Sequence, residues 1–98
     1  FPFKERTATK KRPALVLSSE LFNSGIRHSV MAMITTASHS AWPLDIAITA
    51  LKDAGLKVPS IIRMKLFTID HALIQKHMGH LSLQDKLSVE SALESLLH

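Results

Sequence analysis

The sequence contains no cysteine and no tyrosine, and it has only three glycines and one tryptophan. Without cysteine, neither a disulfide framework nor a thiolate metal site can form, and a reducing compartment is compatible with the chain. No apolar run reaches the roughly 18 residues that a membrane-spanning helix requires, and no signal peptide is recognisable. We therefore expect a cytoplasmic protein that does not associate with membranes.

Acidic residues are scarce at the start of the chain, where Glu5 is the only one among the first twelve residues. The same segment carries five cations, which are Lys4, Arg6, Lys10, Lys11 and Arg12. The whole chain has 12 Lys and Arg against 8 Asp and Glu, which gives a formal charge of +4. A positive potential concentrated near the start of the chain favours a polyanionic partner.

With 98 residues, of which 46% are hydrophobic, the chain is long enough for one domain with one modest core. We predict a single domain over residues 1–98. Alternating and β-branched apolar runs predict short strands, and a polar, basic segment over 4–12 predicts an exposed loop. The predicted strands cover residues 14–18, 28–35, 44–48 and 61–69, with a helical turn at 20–22, turns at 23–25 and 52–57, and a helical turn or short strand at 72–76.

The end of the chain predicts a helix. Ser82 and Asp85 have the spacing of a capping box, and apolar residues then recur at helical spacing as far as Leu97. The sequence therefore predicts a mainly β protein that ends in an α-helix.

Two apolar runs, 14–18 and 30–34, carry polar side chains at one end each. If they pair as antiparallel neighbours, Arg12 before the first run and Thr35 after the second face the same space. A cation and a hydroxyl together suit an anionic centre such as a phosphodiester. Lys10 and Lys11 then either hold backbone phosphates or only add solubility.

Other polar and aromatic residues have two interpretations each. Trp42 either stacks on an unpaired base or packs against Pro43. Arg63 and Lys65, predicted to share one strand face, either extend an anion-binding surface or are simply solvated.

The histidines also allow more than one reading. His28 and His39 each supply a base or occupy a surface or capping position. His77 and His80 are separated by Gly79 and have no carboxylate nearby in the sequence, so we predict no metal site and no cofactor.

Several motifs, taken in order, resemble those of the MazF/PemK family of bacterial toxins from toxin–antitoxin pairs. The matching segments are 1–3 (FPF), 11–18 (KRPALVLS), 34–36 (ITT), 42–45 (WPLD), 54–56 (AGL), 59–63 (PSIIR) and 65–70 (KLFTID).

The resemblance implies an SH3-like small barrel of the CcdB/MazF/PemK type. It further implies a homodimeric endoribonuclease that cuts single-stranded RNA, including mRNA, without a metal and leaves 2′,3′-cyclic phosphate and 5′-hydroxyl ends. Arg12 and Thr35 would form the catalytic pair. The RNA-binding set would be Lys10, Lys11, Thr36, His39, Trp42, Arg63 and Lys65. A cognate antitoxin would restrain the toxin, and the two together would bind DNA.

Two departures from the family pattern leave alternatives open. Relatives begin with a further strand, often with a Gly-Asp pair, so we expect a first strand to be missing before Phe1. Ala50 stands where relatives often carry an acidic residue. The alternatives are a toxin of the same fold without nuclease chemistry, such as a gyrase poison of the CcdB kind, and a degenerate member that binds RNA without cutting it.

Overall fold

The computed structural model describes residues 2–5, 11–37 and 41–98, with side chains described for residues 12–37 and 41–98. Two helices are present there: α1 (Glu20–Ile26) and α2 (Leu83–Leu97). A single 3-10 turn covers His71–Leu73. The six strands of this part of the chain are β1 (Pro2–Glu5), β2 (Lys11–Val16), β3 (His28–Thr36), β4 (Ile46–Ala47), β5 (Ser60–Asp70) and β6 (Ile74–His77). The predicted mainly β architecture with a C-terminal helix is confirmed.

The strands form one antiparallel sheet in the order β4-β5-β3-β2-β1-β6. Strand β2 belongs to two ladders: residues 11–13 pair with β1, and residues 14–16 pair with β3. Because its two halves have different partners, the sheet turns at Pro13 and coils as a small barrel does. The two ends of β2 therefore lie in different parts of the molecule.

Strand β3 runs through the middle of the sheet and contributes to a core on each face, as alternation along a strand requires. Ala32 and Ile34 belong to the larger core, which also contains Val89 of α2. Met31 belongs to the smaller core on the other face, with Ile69. Helix α2 thus covers one face of the sheet and leaves part of the other face open.

The β3–β5 ladder contains an irregularity that shapes the open face. Ala32 pairs with Leu66, whereas the next residue, Met33, pairs with Arg63, so β5 has two extra residues at this point. Such a bulge bends the strand and redirects its side chains. As a result, Arg63 is buried while Lys65 is exposed, although simple alternation predicts that they share one environment.

Helix α2 begins as its sequence predicts, with one difference. The Ser82 hydroxyl accepts the backbone N–H of Asp85 at 3.2 Å. The Asp85 carboxylate instead accepts from the Thr49 hydroxyl at 2.7 Å and from the Ala50 N–H at 3.1 Å. Burial acts to raise the pKa of Asp85, but these hydrogen bonds outweigh it and leave the pKa below its ordinary value.

Three local predictions are wrong in part. The exposed loop predicted over 4–12 is wrong at both ends, because Lys4 lies in β1 and pairs with Arg12 in β2, and residues 6–10 lie outside the described residues. The turn predicted at 23–25 is helical, since α1 continues through Gly25 to Ile26 and is capped by Arg27, which has a left-handed φ of 56°. Leu44 lies in a turn rather than in a strand.

The segment predicted as a helical turn or a strand at 72–76 contains both elements in succession. Neither helix in the described ranges is long and apolar enough to cross a bilayer.

Candidate functional site

A groove of about 410 Å³ lies where the start of β2 approaches β3 and β5. Arg12 and Lys65, both exposed, line this groove together with Met33. The two cations come from strands that are not neighbours in the sheet, and β3 lies between them. The lining also contains one acid, Asp70, and apolar residues such as Phe67 and Ile69. We call this space the basic groove, because its two cations outnumber its one acid.

Thr35 lies at the same end of the β2–β3 ladder as Arg12. The last pair of that ladder is Ala14 with Met33. Arg12 lies two positions before Ala14, and Thr35 lies two positions after Met33. By alternation, Thr35 faces the same side of β3 as Met33, and it is 8% exposed. The neighbouring Thr36 is exposed and faces the other side.

Trp42 opens a tight turn at the edge of the same face of the sheet. The Asp45 N–H donates to the Trp42 carbonyl at 3.3 Å, and the Asp45 carboxylate accepts the Trp42 N–H at 2.8 Å. Proline at the second position of the turn suits it, whereas Leu44 at the third position has a φ of 67°, a value that favours glycine. The turn is therefore strained and needs support from outside.

Arg63 supplies that support. Its Nε and Nη2 donate to the two carboxylate oxygens of Asp45 at 3.2 and 3.0 Å, and both side chains are largely buried. The hydrogen bond from Arg63 outweighs burial and lowers the pKa of Asp45, so this carboxylate stays ionised. The Arg63 guanidinium also lies 5.1 Å from the centre of the Trp42 ring, and the Lys65 Nζ lies 6.0 Å from it. Lys65 thus connects the Trp42 turn with the basic groove.

Asp45 has no predicted role in the sequence analysis, although it is central to this arrangement. A usable signal is present in the sequence: an aspartate three residues after Trp42, with a proline between them, is a pattern that closes a turn. No sequence signal identifies Arg63 as its partner, because the two residues lie 18 positions apart and meet only through the fold.

Other candidate residues lie elsewhere. The His28 Nδ1 contacts the Ile26 carbonyl at 2.8 Å, and His28 pairs with Asp70 at the opposite end of β3 from Thr35. His28 and Thr35 are seven positions apart in the strand, or roughly 23 Å. His28 is not among the residues that line the basic groove, although its partner Asp70 is.

The remaining predicted residues are only partly described. Lys11 is the first residue of β2, where only the backbone is described, and Lys10 and His39 lie outside the described residues. Over the ranges that the structure describes, no cluster of three or more His, Asp or Glu side chains is arranged to hold a metal ion.

The arrangement suits a flexible chain that carries negative charges and flat rings. Arg12 and Lys65 place positive charge along the basic groove, and a guanidinium can donate two hydrogen bonds to one phosphate. Trp42 is 43% exposed and offers an aromatic surface beside Lys65. Cations alternating with an aromatic ring are typical of surfaces that bind single-stranded nucleic acid.

The sequence and the fold resemble those of known proteins. Residues 1–97 match the model of the family described as PemK-like, MazF-like toxin of type II toxin-antitoxin system. The Mycobacterium tuberculosis toxin MazF-mt6 has a similar structure, with a TM-score of 0.78 and 21% identity over 99% of this chain and 96% of that chain.

Two further structures with this fold are complexes. One is an endoribonuclease in complex with its cognate antitoxin from a mycobacterial species, with a TM-score of 0.79, 16% identity and coverage of 98% and 89%. The other is MazE–MazF from Deinococcus radiodurans, with a TM-score of 0.76, 18% identity and the same coverage. At these low identities, the structural similarity shows a shared fold and nothing further. No curated protein matches the chain in sequence.

Proposed function

The chain belongs to the PemK-like, MazF-like family of toxins of type II toxin–antitoxin systems, and on this premise we propose that it is an endoribonuclease that cuts single-stranded RNA without a metal in the cytoplasm. The observation that carries the proposal is the basic groove, which Arg12 and Lys65 both line, with the Trp42 ring outside the lining but next to Lys65. A related fold occurs in a protein described as an endoribonuclease, which supports the same assignment.

Cleavage proceeds by attack of a ribose 2′-hydroxyl on the adjacent phosphorus. The bond from phosphorus to the 5′-oxygen breaks, leaving a 2′,3′-cyclic phosphate on one fragment and a 5′-hydroxyl on the other. Arg12 stabilises the extra negative charge of the pentavalent phosphorane through paired N–H donors. Thr35 orients the phosphate through its hydroxyl.

Other groups of the site bind the strand on either side of the cut. Lys65 contacts backbone phosphates, as we propose for Lys10, Lys11 and His39, and Trp42 contacts a base. Thr36 faces the other side of β3, so we leave it out of the set that binds RNA in the groove. Electrostatic contacts of this kind give affinity and position without reading the sequence.

The protein acts, in this proposal, as a homodimer that a cognate antitoxin inhibits. Two similar structures contain an antitoxin, which supports such a partner here. An acidic segment of the antitoxin would cover the basic groove by charge complementarity and exclude RNA. Exposed apolar side chains on α1, namely Leu21, Phe22 and Ile26, offer contact area for assembly.

The proposal is tested by incubating the purified protein with a long single-stranded RNA in EDTA and mapping the ends of the fragments. We expect discrete cuts with cyclic phosphate ends, and a loss of at least about 100-fold in rate for Arg12→Ala, because a donor to the developing charge is removed. Arg12→Lys should recover only a small part of the rate, since lysine keeps the charge but lacks the paired donors.

The matched control is Lys52→Ala, which removes an exposed cation from the turn at 51–55, among residues that do not line the basic groove. Its cleavage rate should equal that of the unmodified protein. Normal cutting by Arg12→Ala would remove this arginine from the mechanism. No cutting by the unmodified protein would favour the gyrase poison or the protein that only binds RNA.

A further inference from the structure

Trp42 is an exposed ring held in place by buried groups. Its backbone is closed into a turn by Asp45, and its indole lies against the Arg63 guanidinium, 5.1 Å from the ring centre. The Asp45 and Arg63 side chains are only 12% and 8% exposed. A buried ion pair that supports an exposed side chain is an unusual use of two charges, because burial of charge opposes stability unless the pair is well formed.

The backbone of the turn also indicates that Trp42 is held in one position. Leu44 holds a left-handed φ of 67°, which a branched side chain adopts only at a cost and only where neighbouring contacts enforce it. Non-glycine residues with such backbone angles occur often at binding sites. The contacts that enforce it here are the Asp45 hydrogen bonds to Trp42 and the two bonds from Arg63.

A ring fixed in this way loses little conformational freedom when a flat ligand stacks on it, so that more of the stacking energy appears as affinity. The position of the ring also fits a strand bound in the basic groove, because Lys65 both lines that groove and lies 6.0 Å from the ring centre.

We propose that the indole of Trp42 is the stacking platform for one unpaired base of the bound RNA, and that Asp45 and Arg63 are positioning residues that fix the ring for it. This inference rests on the proposed function and assigns Arg63 a role different from phosphate contact. With two of its nitrogens on Asp45 and its plane near the indole, Arg63 acts through Trp42, whereas Lys65 remains the exposed cation.

Fluorescence tests the platform directly, since Trp42 is the only tryptophan and the chain has no tyrosine. The probes are a short single-stranded 2′-O-methyl RNA, which lacks the attacking hydroxyl and so cannot be cut, and an abasic oligomer with the same number of phosphates. We expect the base-bearing oligomer to quench and shift the emission, and the abasic oligomer to leave it unchanged. Binding of the base-bearing oligomer, seen by anisotropy of an attached dye, without any change in emission would overturn the proposal.

Variants test the energetics of stacking. Trp42→Leu should weaken binding of the base-bearing oligomer roughly 5- to 100-fold, the range expected for one stacked base, and leave binding of the abasic oligomer unchanged. Trp42→Phe should recover most of the loss because it restores an aromatic face. Equal affinity of Trp42→Leu and the unmodified protein for the base-bearing oligomer would overturn the platform.

A double-mutant cycle tests the positioning role. Asp45→Asn should weaken binding of the base-bearing oligomer in the unmodified protein and have no further effect in the Trp42→Leu background. An equal loss in both backgrounds would show that Asp45 acts through the fold or its charge and would overturn positioning.

These results are independent of cutting. Stacking without cleavage of a long RNA would contradict only the proposed nuclease activity. Cleavage of that RNA, together with an unaltered affinity of Trp42→Leu for the base-bearing oligomer, would contradict only the stacking platform. Failure of both oligomers to bind would contradict the platform, and cleavage of the long RNA would still decide the nuclease separately.

Discussion

At the scale of single residues, Asp85 links the start of α2 to the turn that follows β4. Asp85 is 1% exposed, and its carboxylate accepts hydrogen bonds from three donors, which are the Thr49 N–H, the Thr49 hydroxyl and the Ala50 N–H. A buried carboxylate is tolerated where donors replace the lost water, and here the donors belong to a different element from the acid. The side chain therefore fastens the helix to the sheet.

Replacing this carboxylate should destabilise the fold. Asp85→Asn exchanges an acceptor oxygen for an N–H group that faces the N–H donors of Thr49 and Ala50, so we expect the free energy of unfolding to fall by about 2 kcal/mol. Urea unfolding at neutral pH measures it. The control is Glu94→Gln on the exposed side of the same helix, which should change stability by less than about 0.5 kcal/mol. Equal values for the two variants would contradict the assigned role.

The same group predicts a pH dependence. The folded state holds the pKa of Asp85 below the ordinary value of 3.8, so the group contributes stability that is fully present above that pH. The contribution is lost as the pH falls through the folded pKa. We therefore expect the stability difference between the unmodified protein and Asp85→Asn to be largest at neutral pH and to shrink below about pH 4. A difference that stays constant down to acid unfolding would show that the carboxylate is not ionised in the fold.

The environments of some single residues can be predicted from the sequence, and those of others cannot. Arg12 and Lys65 can be predicted as exposed cations, because unpaired lysine and arginine side chains are almost never fully buried. The burial of Arg63 cannot be predicted, because it follows from the bulge in β5 and from Asp45, neither of which has a local signature. The catalytic roles of Arg12 and Thr35 stay predictions.

At the scale of elements, two glycines differ in what they require. Gly55 has a φ of 76°, and a Cβ added there would lie 2.3 Å from the Met78 carbonyl oxygen. Gly25 lies inside α1, and a Cβ added there would have no atom within 4 Å. The turn that packs against Met78 requires a glycine at position 55. Gly25 is not required by its surroundings, and it destabilises the short helix α1.

These surroundings predict opposite effects of the same substitution. Gly55→Ala should lower the free energy of unfolding by more than about 2 kcal/mol, because the left-handed backbone and the carbonyl both oppose the new methyl group. Gly25→Ala should raise it by about 0.5–1 kcal/mol, the usual gain in a helix interior. Thermal or urea unfolding of the two variants gives the comparison. A gain at Gly55, or a loss at Gly25, would contradict the described backbone.

The types of element follow from the sequence more readily than their bounds. The apolar run of β3 and the helical spacing of α2 are strong signals, because β3 lies between two cores and α2 covers one core with a single face. The length of α1 is not predictable in this way, since none of its residues is buried, and Gly25 argues against a helix at that point. The extent of β1 and the start of β2 depend on pairing with each other, and pairing partners leave no periodic pattern in a polar segment.

At the scale of the whole molecule, the formal charge of +4 matters through its distribution. If Arg12 and Lys65 each contact one phosphate, binding of single-stranded RNA should weaken as salt rises, and each substitution to alanine should reduce the slope of log affinity against log salt by about 0.7. Lys52→Ala should leave the slope unchanged. A titration of the 2′-O-methyl oligomer at several salt concentrations measures all three. An unchanged slope for Arg12→Ala would show that this arginine makes no phosphate contact.

The pairing of β1 with β6 joins Pro2 to His77, residues from almost opposite ends of the described chain. During translation, β1 stays without this partner until the ribosome has made and released the segment around His77. Contacts between distant parts of a chain form late and slowly in folding. A nascent chain therefore carries Arg12 on a strand whose neighbour β1 still lacks one of its two partners, and the sheet cannot be completed before the segment around His77 has left the ribosome.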